Sequence, residues 1–239
     1  MTRLSAATVR PVFAEFLGSA LLAAVVVGSG IMAQQLSPHD VGLELFENAA
    51  ATAAGLYVLI SVFAPVSGAH FNPVVSFVDA ALGMTSWRRA LGYLPAQVAG
   101  CCSGAVLANV MFARAAVSVS THHRASVAHL GAEVVATAGL VLVIFALART
   151  GRGSSVAPLV ASYIAAAYFF TSSTSFANPA IVLGRTLSNS FAGVAPSSVA
   201  GFIGAEIVGG ALGFALVKIL FPSVHIDSAP QRHVKSEGT

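Results

Sequence analysis

Apolar stretches of membrane-spanning length alternate with short polar breaks along this chain, at residues 12–34, 43–63, 87–108, 130–148, 155–170 and 198–221. About 20 helical residues cross the hydrocarbon core of a bilayer, so the pattern predicts six transmembrane helices. Two shorter helices are predicted, one between the second and third spans and one between the fifth and sixth. Asn72 and Asn178 are each followed by a proline. Asn is a good helix N-cap, and Pro suits the first helical position, whose N–H has no partner there. Neither short helix can cross alone, so each lies on the surface or dips in and returns. The second is approached through Thr171-Ser172-Ser173-Thr174-Ser175. Non-helical backbone at membrane depth is tolerated where it is buried in protein or lines a watery cavity. This hydroxyl-rich run fits a pore wall.

The pattern occurs twice. Ala14-Glu15-Phe16-Leu17 in the first span matches Ala132-Glu133-Val134-Val135 in the fourth, and Phe71-Asn72-Pro73-Val74-Val75 matches Ala177-Asn178-Pro179-Ala180-Ile181. Ala96-Gln97 with Gly100 and Gly104 matches Ala205-Glu206 with Gly209 and Gly213. Each half reads span, span, short helix, span. Three crossings reverse the entry face, so the halves form an inverted pair whose short helices meet near the bilayer midplane.

Composition sets the class. Charged residues make up 9% of the chain and hydrophobic ones 56%, with mean hydropathy +0.82; a soluble domain carries about 25% charged residues. The expectation is one all-α integral membrane domain over residues 1–239. It holds repeats at about 10–112 and 128–221 and a flexible cytoplasmic tail at 222–239. No cleavable signal is read, because the first apolar run exceeds a signal-peptide core. The net charge of +3 does not point to nucleic acid, since the basic residues flank the spans without clustering among aromatics; the surrounding partner is lipid. With cytoplasmic termini, that side receives Arg3, Arg10, Arg88, Arg89, Arg149, Arg152, Lys218, Arg232 and Lys235, against Arg114, Arg124 and Arg185 on the other. This asymmetry places both termini in the cytoplasm. Cys101 and Cys102 are read as packing residues, with no ligand-spaced His or carboxylate to make a metal site.

At each short helix the Asn side-chain oxygen can cap the N–H groups behind it, leaving its NH₂ facing outward as a donor. A helix N-terminus also carries about +0.5 of an elementary charge. Two such ends at a midpoint repel cations and offer hydrogen bonds to uncharged polar molecules.

These residues resemble the aquaporin (major intrinsic protein) family. The likeness covers nearly the whole chain through Ala14-Glu15-Phe16-Leu17-Gly18, Ser67-Gly68-Ala69-His70-Phe71-Asn72-Pro73-Val74, Ala96-Gln97, Gly100 and Asn178-Pro179-Ala180. It implies a right-handed six-helix bundle with two re-entrant half-helices, assembled as a homotetramer with one pore per subunit in the plasma (inner) membrane. It also implies a passive channel for small neutral solutes, with no catalytic residues, cofactor or metal. Val74 stands where the family usually has Ala.

The family usually places Arg three residues after the second Asn, at the narrowest part of the pore; this chain has Ile181. Carrying the other filter positions over by spacing gives Thr52, Ala166 and Ser175. That ring has no aromatic and no charge, so a filter wider than a strict water channel's is expected. The missing charge is worth up to ~4 kcal/mol to an ion at 4 Å and an effective dielectric of 20. An Ile filter beside Ser-Thr-Ser-Phe-Ala-Asn-Pro-Ala is similar to the bacterial aquaglyceroporins of arsenic-resistance operons. Those imply arsenious acid, methylated arsenicals and glycerol-like polyols as solutes; a mainly water-conducting pore and an ion-coupled secondary transporter are the alternatives.

Arg185, one turn beyond Ile181, either lines an outer vestibule or snorkels to the interface. Glu15 and Glu133 are expected to accept bonds from re-entrant loop N–H groups as in the family, with proton relay as the other reading. His70 either fixes its loop or responds to pH. Gln97 and Glu206 are read as polar packing.

Overall fold

The computed structural model describes residues 6–222, with side chains from Val9 onward; of the tail expected at 222–239, all but Pro222 lies outside the described residues. Eight helices follow in order: α1 (Ala6–Leu36), α2 (Val41–Ser67), α3 (Pro73–Ala81), α4 (Trp87–Met111), α5 (Val127–Arg149), α6 (Val156–Phe170), α7 (Pro179–Arg185) and α8 (Pro196–Leu220). A single 3₁₀ turn, Gly153–Ser155, precedes α6, and no strand occurs among the described residues. Six of the helices are long and apolar enough to cross a membrane. Most run past the apolar stretches that predicted them, because hydropathy marks the hydrocarbon-embedded part and caps set the ends. Thus α2 continues through Pro65 to Ser67 and stops at Gly68, whose N–H still donates to the Ala64 carbonyl and whose left-handed φ of 94° turns the chain out of the helix.

The outer surface is apolar. Phe13, Val127 and Ile219 are 59%, 89% and 73% exposed, a pattern suited to lipid. Inside, the polar side chains Glu15, Gln97, Glu133 and Glu206 are fully buried.

Because lipid tails are as apolar as leucine, packing of helices in a bilayer relies on close approach of small residues. Gly100 and Gly104 bring α4 against α1: a Cβ at either position would collide with the carbonyl oxygen of Phe16 or Ala20. In the second half, a Cβ on Gly209 would stand 2.6 Å from the Val134 oxygen, and one on Gly213 would stand 2.8 Å from that of Ala138, so α8 sits equally close on α5. At Gly104 the obstacle is backbone, which cannot rotate aside. Gly104→Ala is therefore expected to lower the melting temperature in detergent by several degrees, an overpacking cost of about 1–3 kcal/mol. Gly131→Ala, where nothing lies within 4 Å, should raise it slightly, since helical Ala is favoured over Gly by about 0.5–1 kcal/mol.

The half-helices are wedged into this frame. α7 presses on α4 so closely that a Cβ on Gly184 would lie 2.7 Å from the Cys101 oxygen. Cys101 itself is fully buried, as a packing residue is.

Candidate functional site: a pore at the junction of two half-helices

Asn72 and Asn178 cap the half-helices. Asn72 Oδ1 accepts from Val74 N at 2.9 Å, and Asn178 Oδ1 accepts from Ala180 N and Ile181 N at 3.0 and 3.3 Å. Pro73 and Pro179 occupy the first helical positions, where no N–H is needed. The amide nitrogens do more than face outward. Asn72 Nδ2 donates to the Ala177 carbonyl at 2.6 Å, and Asn178 Nδ2 donates to that of Phe71 at 2.8 Å. Each asparagine thus caps its own helix and ties down the opposite loop, leaving one N–H of each NH₂ for other partners. Val74, the departure from Ala, finds its room at Gly210 of α8, where a Cβ would stand 2.5 Å from the valine Cγ1.

The loops leading into the caps are held by buried carboxyls. Glu15 accepts from His70 N at 3.0 Å, Phe71 N at 2.7 Å, Ser67 Oγ at 2.6 Å and Gln97 Nε2 at 2.8 Å. Glu133 accepts from Phe176 N and Ala177 N at 2.9 and 2.7 Å, and Glu206 accepts from Asn178 N at 2.8 Å. These bonds hold backbone that non-glycine residues avoid: φ is positive at Ala69 and Phe71 in one loop and at Thr174, Ser175 and Ala177 in the other. Across a planar trans peptide the C=O is antiparallel to the N–H. With the N–H groups turned to the glutamates, the carbonyls of Ala69, His70, Ser175 and Phe176 turn the other way, on the side where these residues line the cavity. His70 is fixed by Ser76, with Nδ1 3.0 Å from Oγ, and Nε2 stands 3.9 Å from Asp79.

One cavity of about 560 Å³ runs past both asparagines. Asp79, Met84 and Ser154 line one end; Ser175, Ile181 and Arg185 line the other. Leu22, Val26, Leu140 and Ile164 form an apolar wall opposite the loops. A strip of polar backbone facing an apolar wall suits a small uncharged polar molecule.

Three of the four positions carried over for the filter, Thr52, Ser175 and Ile181, line this cavity; Ala166 does not. Ala166 is exposed on the outside of α6. Two residues along a helix turn the side chain by about 200°, so the α6 positions flanking it, Ile164 and Tyr168, face the cavity instead. The Tyr168 hydroxyl donates to Thr52 Oγ1 at 3.2 Å, placing an aromatic where the sequence reading had none. Spacing alone carried no signal for it. The Ser175 hydroxyl is buried and has no hydrogen-bond partner among the described residues.

Arg185 does not reach for the interface. It is buried, with its guanidinium carbon 3.4 Å from the Phe176 ring centroid and Nε donating to the Ala192 carbonyl. Beyond it Arg124 donates to the carbonyls of Phe191 and Gly193 at 2.7 and 3.0 Å.

Paired half-helices capped nose to nose beside a cavity lined by both asparagines define a membrane channel built on an internal repeat. Residues 2–176 match the Major intrinsic protein family. Aquaglyceroporin AqpS of Rhizobium meliloti (strain 1021) is 46% identical over 207 residues, 87% of this chain and 88% of that protein. A probable glycerol uptake facilitator protein of Thermotoga maritima is 35% identical over 39% of this chain and 40% of its own length. The X-ray structure of the aquaglyceroporin from Plasmodium falciparum matches with a TM-score of 0.67 at 20% identity, over 88% of this chain and 95% of that one, a likeness of fold. This chain belongs to the major intrinsic protein family, whose members are membrane channels for small solutes and not enzymes.

Proposed function

We propose that the protein is a passive channel for small uncharged polar solutes: glycerol-like polyols, arsenious acid and methylated arsenicals, with water. The observation that carries this reading is Ile181, apolar and buried at the cavity wall where a charged filter residue is usual. Thr52 and Ser175 line the cavity beside it, and the apolar wall accepts the solute's body. The relative called an aquaglyceroporin, alike over most of both chains, agrees with a polyol-sized pore. A homotetramer with one pore per subunit, a single channel domain, the inner membrane and cytoplasmic termini complete the reading.

Tyr168 favours a second reading, a mainly water-conducting pore, because its ring and its bond to Thr52 take space from the constriction. Stopped-flow light scattering on proteoliposomes with water, glycerol and arsenite in parallel separates the two. Glycerol and arsenite flux independent of any proton or sodium gradient is expected, rising further in Tyr168→Ala. Water flux with glycerol excluded would overturn the wide-filter reading, and gradient-dependent flux would overturn the passive one.

A further inference from the structure

The two halves differ in chemistry at one matched position. In the first, Gln97 donates through Nε2 to the Glu15 carboxylate and to Ser76 Oγ. In the second, the residue at the matched place is Glu206, and it sits beside Glu133, the two accepting from the consecutive N–H groups of Asn178 and Ala177. Glu206 Oε1 accepts from Asn178 N at 2.8 Å. Its other oxygen is buried and has no donor. Both side chains are wholly buried.

Two carboxylates buried side by side on consecutive N–H groups repel strongly and leave lone pairs unsatisfied. A carboxylic acid has the donor that a carboxylate lacks, and its O–H occupies the place of an amide N–H. Arg185 of α7 acts on both carboxyls through space; Tyr163 of α6, Ser173 of the loop, and Arg124 and Tyr168 acting on Arg185 complete the polar surroundings. Among the described residues neither glutamate has a cation within 4.0 Å. One negative charge on the pair has a guanidinium to answer it; a second does not.

We infer that Glu206 is a neutral carboxylic acid whose Oε2 proton is shared with Glu133, a titratable stand-in for Gln97 that positions the second pore loop. The pair then holds three consecutive loop N–H groups, those of Phe176, Ala177 and Asn178, on two carboxyls bearing one charge. Removing the shared proton drives the carboxyls apart and releases the Asn178 N–H, and with it the register of the Asn178 cap in the pore. The first half has no such proton to lose, so alkali acts on one half of the channel.

The test compares wild type with Glu206→Gln, reconstituted in vesicles, by infrared difference spectroscopy and by water flux from neutral to alkaline pH. Glu206→Gln keeps an acceptor for Asn178 N–H and gains an amide donor toward Glu133. Wild type is expected to show a protonated-carboxyl C=O band that Glu206→Gln lacks. At neutral pH the two should conduct alike. At alkaline pH wild type is expected to lose the band and at least threefold in flux, while Glu206→Gln holds its flux. A difference spectrum without that band, or an equal alkaline decline in both proteins, overturns the inference. Should Glu206→Gln fail to fold, Gln97→Glu serves in its place: it should add a second such band, and its failure to do so overturns the inference equally. The band does not depend on which solute the pore passes.

Discussion

Glu15→Ala is expected to lower the melting temperature in detergent by about 10 °C or more. The carboxylate receives four donors, two of them loop N–H groups and one the Gln97 amide. The two loop N–H groups and the Ser67 hydroxyl lose their acceptor on truncation, each at roughly 1–3 kcal/mol, while the Gln97 amide keeps Ser76. Relief from burying a charge offsets part of that, leaving on the order of 4 kcal/mol; each kcal/mol moves the melting point of a chain this size by about 2–4 °C. The loop it releases carries positive φ at Ala69 and Phe71, conformations that persist only when their surroundings enforce them. Glu15→Gln keeps one acceptor oxygen and should lose less than half as much. Differential scanning fluorimetry with size-exclusion chromatography checks both; an Ala variant as stable as wild type would mean the loop holds itself.

Ile181→Arg should cut glycerol and arsenite flux at least tenfold while sparing water, a barrier of about 1.4 kcal/mol or more added for the larger solutes. The new guanidinium would enter the cavity where Ile181 now lines it. It would also stand one helical turn from Arg185, and like charges at that spacing repel. A modest loss of thermal stability should therefore accompany the narrowed solute range. Parallel stopped-flow traces decide the matter: unchanged glycerol flux in the single variant would remove Ile181 from the selectivity argument.

The architecture was legible because its signals are local or additive. Twenty apolar residues must form a helix in lipid whatever their neighbours, and Asn-Pro carries the cap and first turn within itself, as at Asn72-Pro73 and Asn178-Pro179. The matched glutamates and glycines could be paired by order alone. Rotational phase was not legible. The stretch between α6 and Asn178 includes left-handed residues at Thr174, Ser175 and Ala177, so counting back from Asn178 does not track the turn of α6. Ala166 and Tyr168 exchanged places for that reason. Contacts across the repeat were equally hidden, since nothing in the spacing says that Asn72 meets Ala177 or that Glu206 sits beside Glu133.

The crossed asparagine bonds impose an order on synthesis. They join residues 105 and 107 positions apart, so the Asn72 amide emerges from the ribosome long before its acceptor exists. Until α7 has been threaded and turned back, α3 is a capped stub with an unanswered donor inside the bilayer, and the first half has no finished conduit. The channel therefore closes its own seam late, in one step that requires both halves.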